Sequence, residues 1–399
     1  AVVASQYIGH REPKRAKASA AQIMFIMISL SVVTAVIVAV GRHAILRGIF
    51  GSIDADVMRY AETYFLLSAL SYPFIGVYNA GAALFRAQGN SKISMLSSLV
   101  MNVVNIGGNA ILIYRFGMGV MGAATASLVS RMIACFTVMF LLQKPDCALR
   151  IDHLTDLKPD LDLIKRILKV GIPAALQMAV TAFSNVFVQS YINSFGEDCM
   201  GGWTAYVKID QFLFLPMQSI SLAVTTFVGQ NLGINQVARA KKGIRAGMLM
   251  AVACTALLMV PVLIFAPQLV EFFNKKREIV DYGSMLLRLI SPFYVFCCIN
   301  QIFASALRGA GNSRTPMFIM IGSFVVFRQI YLFIMANYIS NTIKPIALSL
   351  PVGFCAVLSP HYISSLQSGK NIALLILSSI AAYGRILRTN LRQGLKSAD

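Results

Sequence analysis

Few residues in this chain are of a type that could do chemistry, and Asp210 comes first among them. It is a carboxylate inside the apolar run Trp203 to Gln230, about two turns from the start of that run. An ionisable group in such a run is costly to bury, which makes it a functional candidate by default. Burial favours the protonated form of a carboxylic acid, and hydration favours the ionised form. A carboxylate that meets water and an apolar surround in turn can therefore take up and release a proton, or hold a cation. The alternative is a structural acid that is ion-paired or reaches to an interface. Lys208, two residues away, points elsewhere on a helix and is a poor direct partner. Arg131 and Arg328 also fall inside apolar runs. Each could balance a buried acid or meet an anionic group, but bonding backbone carbonyls inside a helical bundle is the commoner use. Arg288 and Glu62 lie near the ends of their runs, where a long side chain can reach water.

Neutral polar residues form two faces. Gln177, Asn185 and Gln189 follow at i, i+8 and i+12, and Asn102, Asn105 and Asn109 share a second helical face. Either face could line a wet cavity and bond a small-molecule substrate, or bond neighbouring helices for under about 1 to 2 kcal/mol each. The aromatics Tyr64, Tyr72, Tyr78, Phe293, Tyr294 and Phe303, with nearby methionines, could make a deformable pocket for flat apolar cations. Core packing or lipid contact is the commoner use of such residues. Tyr72 and Phe293 join the two polar faces as candidate cavity residues. Four scattered histidines form no HExxH spacing, and no CxxC occurs among seven cysteines, so no metal site is expected. No glycine-rich phosphate loop is present, so ATP is not expected as the energy source. An enzyme embedded in the membrane would need clustered acids, histidines or a nucleophile near one interface, and the chain offers none.

The elements that must position these residues are set by composition. The 399 residues are 57% hydrophobic and 13% charged, with mean hydropathy +0.69. A soluble domain would carry about a quarter charged residues. Apolar runs of span length recur from end to end, which predicts an all-α polytopic membrane protein with the lipid bilayer as its main partner. The net charge of +19 belongs in cytoplasmic loops by the positive-inside rule, and no basic block interleaved with aromatics calls for nucleic acid. Predicted spans run from about Ala20 to Leu46, Val57 to Phe85, Ile93 to Ile113, Gly119 to Leu142, Gly171 to Phe195, Trp203 to Gln230, Ala246 to Leu269, Tyr282 to Leu307, Pro316 to Ile339 and Ile346 to Leu366. A basic loop is predicted at His10 to Lys17, and a kink at Pro216.

One pattern occurs twice at an offset of 222. Phe85 to Met95 reads FRAQGNSKISM, and Leu307 to Met317 reads LRGAGNSRTPM. Each ends one apolar run and opens the next, with Gly and Asn suited to a left-handed turn. Ser5-Gln6-Tyr7-Ile8-Gly9 likewise matches Gly229-Gln230-Asn231-Leu232-Gly233. A long-period repeat in an apolar chain predicts two related bundles, and an even number of spans between the motifs makes them parallel repeats. The side holding both motifs collects 23 basic residues against 8 on the other, which makes it cytoplasmic. The expected organisation is an incomplete N-terminal bundle (1–142), a cytoplasmic linker (143–170) with an amphipathic surface segment at Leu161–Lys169, a C-terminal bundle (171–366), and a basic tail (367–399) that includes a short apolar stretch at Asn371–Ile386. The repeat places the counterpart of Gly171 roughly 50 residues before Ala1, room for a first helix and most of a second at ~1.5 Å per residue. Six helices per bundle are then expected.

With these motifs, with Gly119-Val120-Met121-Gly122-Ala123-Ala124 opening the sixth helix and Gly171-Ile172-Pro173 opening the seventh, the chain resembles the multidrug and toxin extrusion (MATE) family of secondary transporters. The resemblance covers about residues 1–366. It implies two six-helix bundles around a cavity that opens alternately to each side. The implied activity is export of cationic amphipathic drugs or toxins in exchange for H⁺ or Na⁺, with no cofactor beyond that ion. It also implies a monomer in a bacterial cell membrane. A lipid-linked oligosaccharide flippase of the same superfamily is the alternative. The family's coupling acid on the first helix falls before Ala1, and its seventh-helix Glu corresponds to about Thr181, so Asp210 stands as the coupling candidate.

Overall fold

The structure, a computed structural model, describes residues 2–50, 54–145, 147–151, 158–339 and 342–357. Every regular element among them is helical. Eight helices or joined helices are long and apolar enough to cross a membrane, beginning with Pro13–Gly48 and ending with Arg314–Ile339. The chain divides into two compact units. One holds the described residues of Ala1–Leu168 with Gly229–Asn235, the other those of Lys169–Val228 with Gln236–Asp399. The basic tail and the apolar stretch Asn371–Ile386 lie outside the described residues.

In the first unit, α1 (Val2–Gly9), α2 (Pro13–Phe50), α3 (Ala55–Leu70), α4 (Tyr72–Ala87), α5 (Ser91–Asn109) and α6 (Gly119–Leu142) follow in order. Its core gathers Tyr7, Ile23, Met24, Leu84, Phe85, Val138 and Leu142 with many alanines. Small residues let the helices approach closely: a Cβ on Gly81 would sit 2.1 Å from Val138 Cγ1. The outer face of α2 bares Leu30, Val33, Ile37 and Val40, the last 80% exposed, as a lipid-facing helix must. In the second unit, α7 (Leu161–Asn193) enters from the first and is followed by α8 (Glu197–Gly233), α9 (Val237–Ile264), the short α10 (Ala266–Glu271), α11 (Arg277–Ile290), α12 (Tyr294–Gly309), α13 (Arg314–Met320), α14 (Arg328–Ile334), α15 (Ile343–Ala347) and α16 (Ser349–Val357).

Several boundaries differ from the sequence reading. The loop predicted at His10 to Lys17 is shorter, because α2 begins at Pro13, whose missing N–H costs nothing in a first turn. The span Val57 to Phe85 is two helices, α3 and α4, meeting at Ser71 just ahead of Pro73. The span Tyr282 to Leu307 divides in the same way, into α11 and α12 around a 3₁₀ turn at Ser291–Phe293 that contains Pro292. In each case proline withholds a ladder donor and crowds the preceding turn. The amphipathic segment Leu161–Lys169 is no separate surface helix; it forms the first turns of α7 without a break. Here a continuous run of good helix formers bridges a polar and an apolar stretch. Pro216 lies inside α8, which continues through it.

The repeated pattern produces the same local geometry twice. Gly89 and Gly311 take positive φ, +81° and +86°. Behind them Asn90 N–H bonds Phe85 O at 3.0 Å and Asn312 N–H bonds Leu307 O at 2.9 Å, closing the two helix ends. The Asn side chains then cap the next helices, Asn90 Oδ1 accepting from Ile93 N–H and Asn312 Oδ1 from Thr315 N–H. The second pair of motifs meets within the first unit. Gln230 Nε2 donates to Ala87 O at 2.8 Å, His10 Nδ1 bonds Gly233 O, and Gly9 and Gly233 face one another at backbone contact. A Cβ on Gly9 would lie 2.2 Å from Gln230 O, whereas one on Gly48 would meet nothing within 4 Å. Gly9→Ala should therefore destabilise the unit by about 1 to 3 kcal/mol, and Gly48→Ala should change stability by less than about 0.5 kcal/mol. Thermal unfolding of both variants in detergent checks this; equal melting temperatures would contradict the close approach.

Candidate functional site

Asp210 stands on α8 in a stripe that begins at Trp203 and continues through Tyr206 and Phe214, residues three or four apart and so on one helical face. Because α8 starts at Glu197 rather than near Trp203, Asp210 lies about 20 Å along the helix, deeper than the sequence reading placed it. Opposite it, α12 begins at Tyr294, the first residue after the Ser291–Phe293 turn. That turn aims Tyr294 at α8. Its hydroxyl donates to the Asp210 carboxylate and lies 3.0 Å from the hydroxyl of Tyr206. Both tyrosines are buried. The second carboxylate oxygen, Oδ1, is buried with no hydrogen-bond partner among the described residues.

The surround is apolar and aromatic. The Phe214 ring packs edge-on against Tyr294 at 5.4 Å, and Trp203 lies 5.1 Å from Tyr206. Cys297, one turn beyond Tyr294, is buried as well. Lys208 turns away, its ammonium over the Phe273 ring at 5.5 Å. The arrangement is one carboxylate without a cationic partner among the described residues, addressed by two phenols in series. Chemically, such a group can bind and release one proton, with the phenols supplying the hydrogen bond that an ionised oxygen needs.

The other candidates separate. Asn105 donates to Ser127 Oγ and Ser130 Oγ at 3.2 and 3.4 Å, which ties α5 to α6, and Asn109 donates to Asn105 at 3.2 Å within α5. Asn102 bonds Ser98 O within its own helix. Gln177 is buried at 7% exposure, and Gln189 donates to Asn193. Asn185 is exposed and accepts from Arg328 Nη2 at 2.9 Å. Tyr72 and Phe293 are half-buried beside the two helix breaks. Arg131 donates to Ser71 Oγ at the α3–α4 break. Arg328 is 1% exposed and bonds Ser184 Oγ at 2.6 Å. The sequence reading missed Tyr206 and Ser184. Tyr206 was within reach of it, at i−4 from Asp210; nothing local marks Ser184.

Comparison with known proteins bears on the whole chain. The MatE family model matches residues 1–111 and 173–334. Among curated relatives, the Probable multidrug resistance protein YoeA of Bacillus subtilis is 25% identical over 363 residues, covering 90% of this chain and 78% of that protein. The Probable multidrug resistance protein YpnP of the same species is 28% identical over 294 residues, 74% of this chain and 65% of that one. The Probable multidrug resistance protein NorM of Thermotoga maritima is 24% identical over 302 residues, and this chain spans 64% of its length. Two solved structures share the fold. A MOP superfamily transporter from Pyrococcus furiosus superposes with TM-score 0.85 at 21% identity, over 92% of this chain and 83% of that one. A MATE family transporter of the same superfamily in an outward-facing conformation gives 0.83 at 20% identity, over 98% and 83%. The family model covers well over half of the sequence, and the apolar helices supply the spans it requires: the chain is a multi-pass cell-membrane protein and belongs to the MatE family.

Proposed function

We propose that this protein is a secondary active antiporter that exports cationic amphipathic compounds in exchange for H⁺ or Na⁺, by alternating access between two helix bundles. The observation that carries the reading is the Asp210 carboxylate, with one oxygen held by Tyr294 and the other buried and unpartnered. A carboxylate so enclosed is stable when neutral and costly when ionised. Conformational change that admits water reverses the preference, and a proton is released to the side then open. Tyr294 bonds the carboxylate and Tyr206 bonds Tyr294 in turn, which supports the ionised form as it appears. Of the two candidate ions, the proton needs no ligand beyond those present. Sodium would need more oxygens than one carboxylate and two phenols provide.

The names of the curated relatives, multidrug resistance proteins, support a drug-like substrate class. Transport requires no cofactor besides the coupling ion, and the transporting species is a monomer in the bilayer.

Three measurements test this. Membrane vesicles containing the protein should move a dye cation against a pH or sodium gradient, and accumulation indifferent to both would reject antiport. Asp210→Asn should abolish gradient-driven transport while expression and folding persist; unchanged transport would return Asp210 to a structural role. Tyr294→Phe removes one hydrogen bond to a charged group, worth about 1.5 to 3 kcal/mol, and should lower the initial rate about tenfold to a hundredfold. An unaltered rate would sever the phenol from the coupling step.

A further inference from the structure

Arg328 opens α14 immediately after the π-helical segment Ile321–Phe327. Its side chain is 1% exposed, and a guanidinium keeps its charge under all ordinary conditions. Among the described residues no carboxylate lies within ion-pair distance of it. Its recorded partners are neutral oxygens: Ser184 Oγ at 2.6 Å and Asn185 Oδ1 at 2.9 Å, both from Nη2. The Nε–H, also buried, has no acceptor among the described residues.

The neighbours add donors rather than acceptors. Gln329 Nε2 points into the same cluster and donates to Ser184 Oγ at 2.8 Å and to Ser184 O at 3.2 Å. Ser184 Oγ spends its own hydrogen on Phe324 O at 3.0 Å. That hydroxyl therefore already accepts from Arg328 and Gln329, and has nothing further to give. The cluster is a fixed positive charge with surplus N–H groups and saturated acceptors. On one side it is closed by buried Ser184; on the other stands Asn185, which is exposed. Asn185 Oδ1 is the removable acceptor, since its amide can swing away without leaving a buried group unpaired.

We propose that Arg328, Gln329, Ser184 and Asn185 form a binding site for a small monovalent anion, a halide or a carboxylate, which displaces the Asn185 carbonyl from the guanidinium. The physical ground is that a buried ion is retained only when paired and hydrogen-bonded. The site lies wholly in the second unit and does not rest on coupling through Asp210.

The test uses the full chain in detergent micelles, with thermal unfolding followed by the fluorescence of its single tryptophan, Trp203. Sodium chloride or sodium acetate is titrated against the sodium salt of a bulky sulfonate at constant ionic strength. A ligand that binds only the folded state raises the melting temperature with concentration, so a rise of several degrees is expected. Response to acetate alone would assign the site to the carboxylate of an organic compound, and response to chloride as well would assign it to inorganic anions; both support the proposal. Arg328→Gln should abolish the response. Should that variant fail to fold, Asn185→Asp is decisive. Its carboxylate would stand where Oδ1 now lies, 2.9 Å from Nη2, so the variant should melt higher than the parent in sulfonate and ignore added anion. Three results would each overturn the site: no anion response in the parent, an undiminished response in Arg328→Gln, or an Asn185→Asp variant that melts lower and still responds.

Discussion

A chain in lipid must satisfy its backbone from within, so a departure from regular α-helix in a span is met by a neighbouring side chain, an ordered water or a local 3₁₀ or π adjustment. Polar side chains meet at three of those departures among the described residues. Where α3 gives way to α4 at Ser71, Arg131 reaches across from α6 to the Ser71 hydroxyl. Where α11 gives way to α12 through Ser291–Phe293, the first helical residue is Tyr294, bonded to Tyr206. Within the π-helical segment before α14, Phe324 O takes the hydroxyl hydrogen of Ser184, and Arg328 follows at once. Proline makes two of these breaks. The third has no proline, and a neighbouring serine holds one of its freed carbonyls.

The same constraint accounts for the small residues. Without a hydrophobic drive between helices in lipid, association depends on close approach and interhelical hydrogen bonds. Gly81 against Val138 and Gly247 against Val224 leave no room for a methyl group. Gly9 and Gly233 go further, bringing two backbones into contact, so that the matching ends of α1 and α8 lie together. Asn105, on a face that the sequence offers for cavity lining or for interhelical bonding, bonds Ser127 and Ser130 across to α6, while Asn109 bonds Asn105 within α5.

Asp210 and Arg328 share the second unit but sit in opposite kinds of surround. The acid meets phenolic donors and aromatic faces; the cation meets amide and hydroxyl oxygens with donors to spare. Neither has an ion-pair partner among the described residues. An unpaired buried charge lowers stability, and in a membrane protein that cost points to use rather than to architecture.

The sequence by itself determined the class of the protein. Its apolar runs are long enough to span as helices and lack the alternation of a membrane-barrel strand, which makes the all-α class legible. The glycine–asparagine turns were also legible, because a left-handed residue followed by a capping side chain is a local event, and both copies fold alike. Asp210 could be named from its depth in an apolar run alone. The tertiary structure decided its company: Tyr294 lies 84 positions away along the chain and meets Asp210 at the start of α12, just past the turn that contains Pro292. It likewise decided that Arg131 bonds Ser71 while Arg328 has no ion-pair partner among the described residues, since spacing along one helix says nothing about the side chains a neighbouring helix presents.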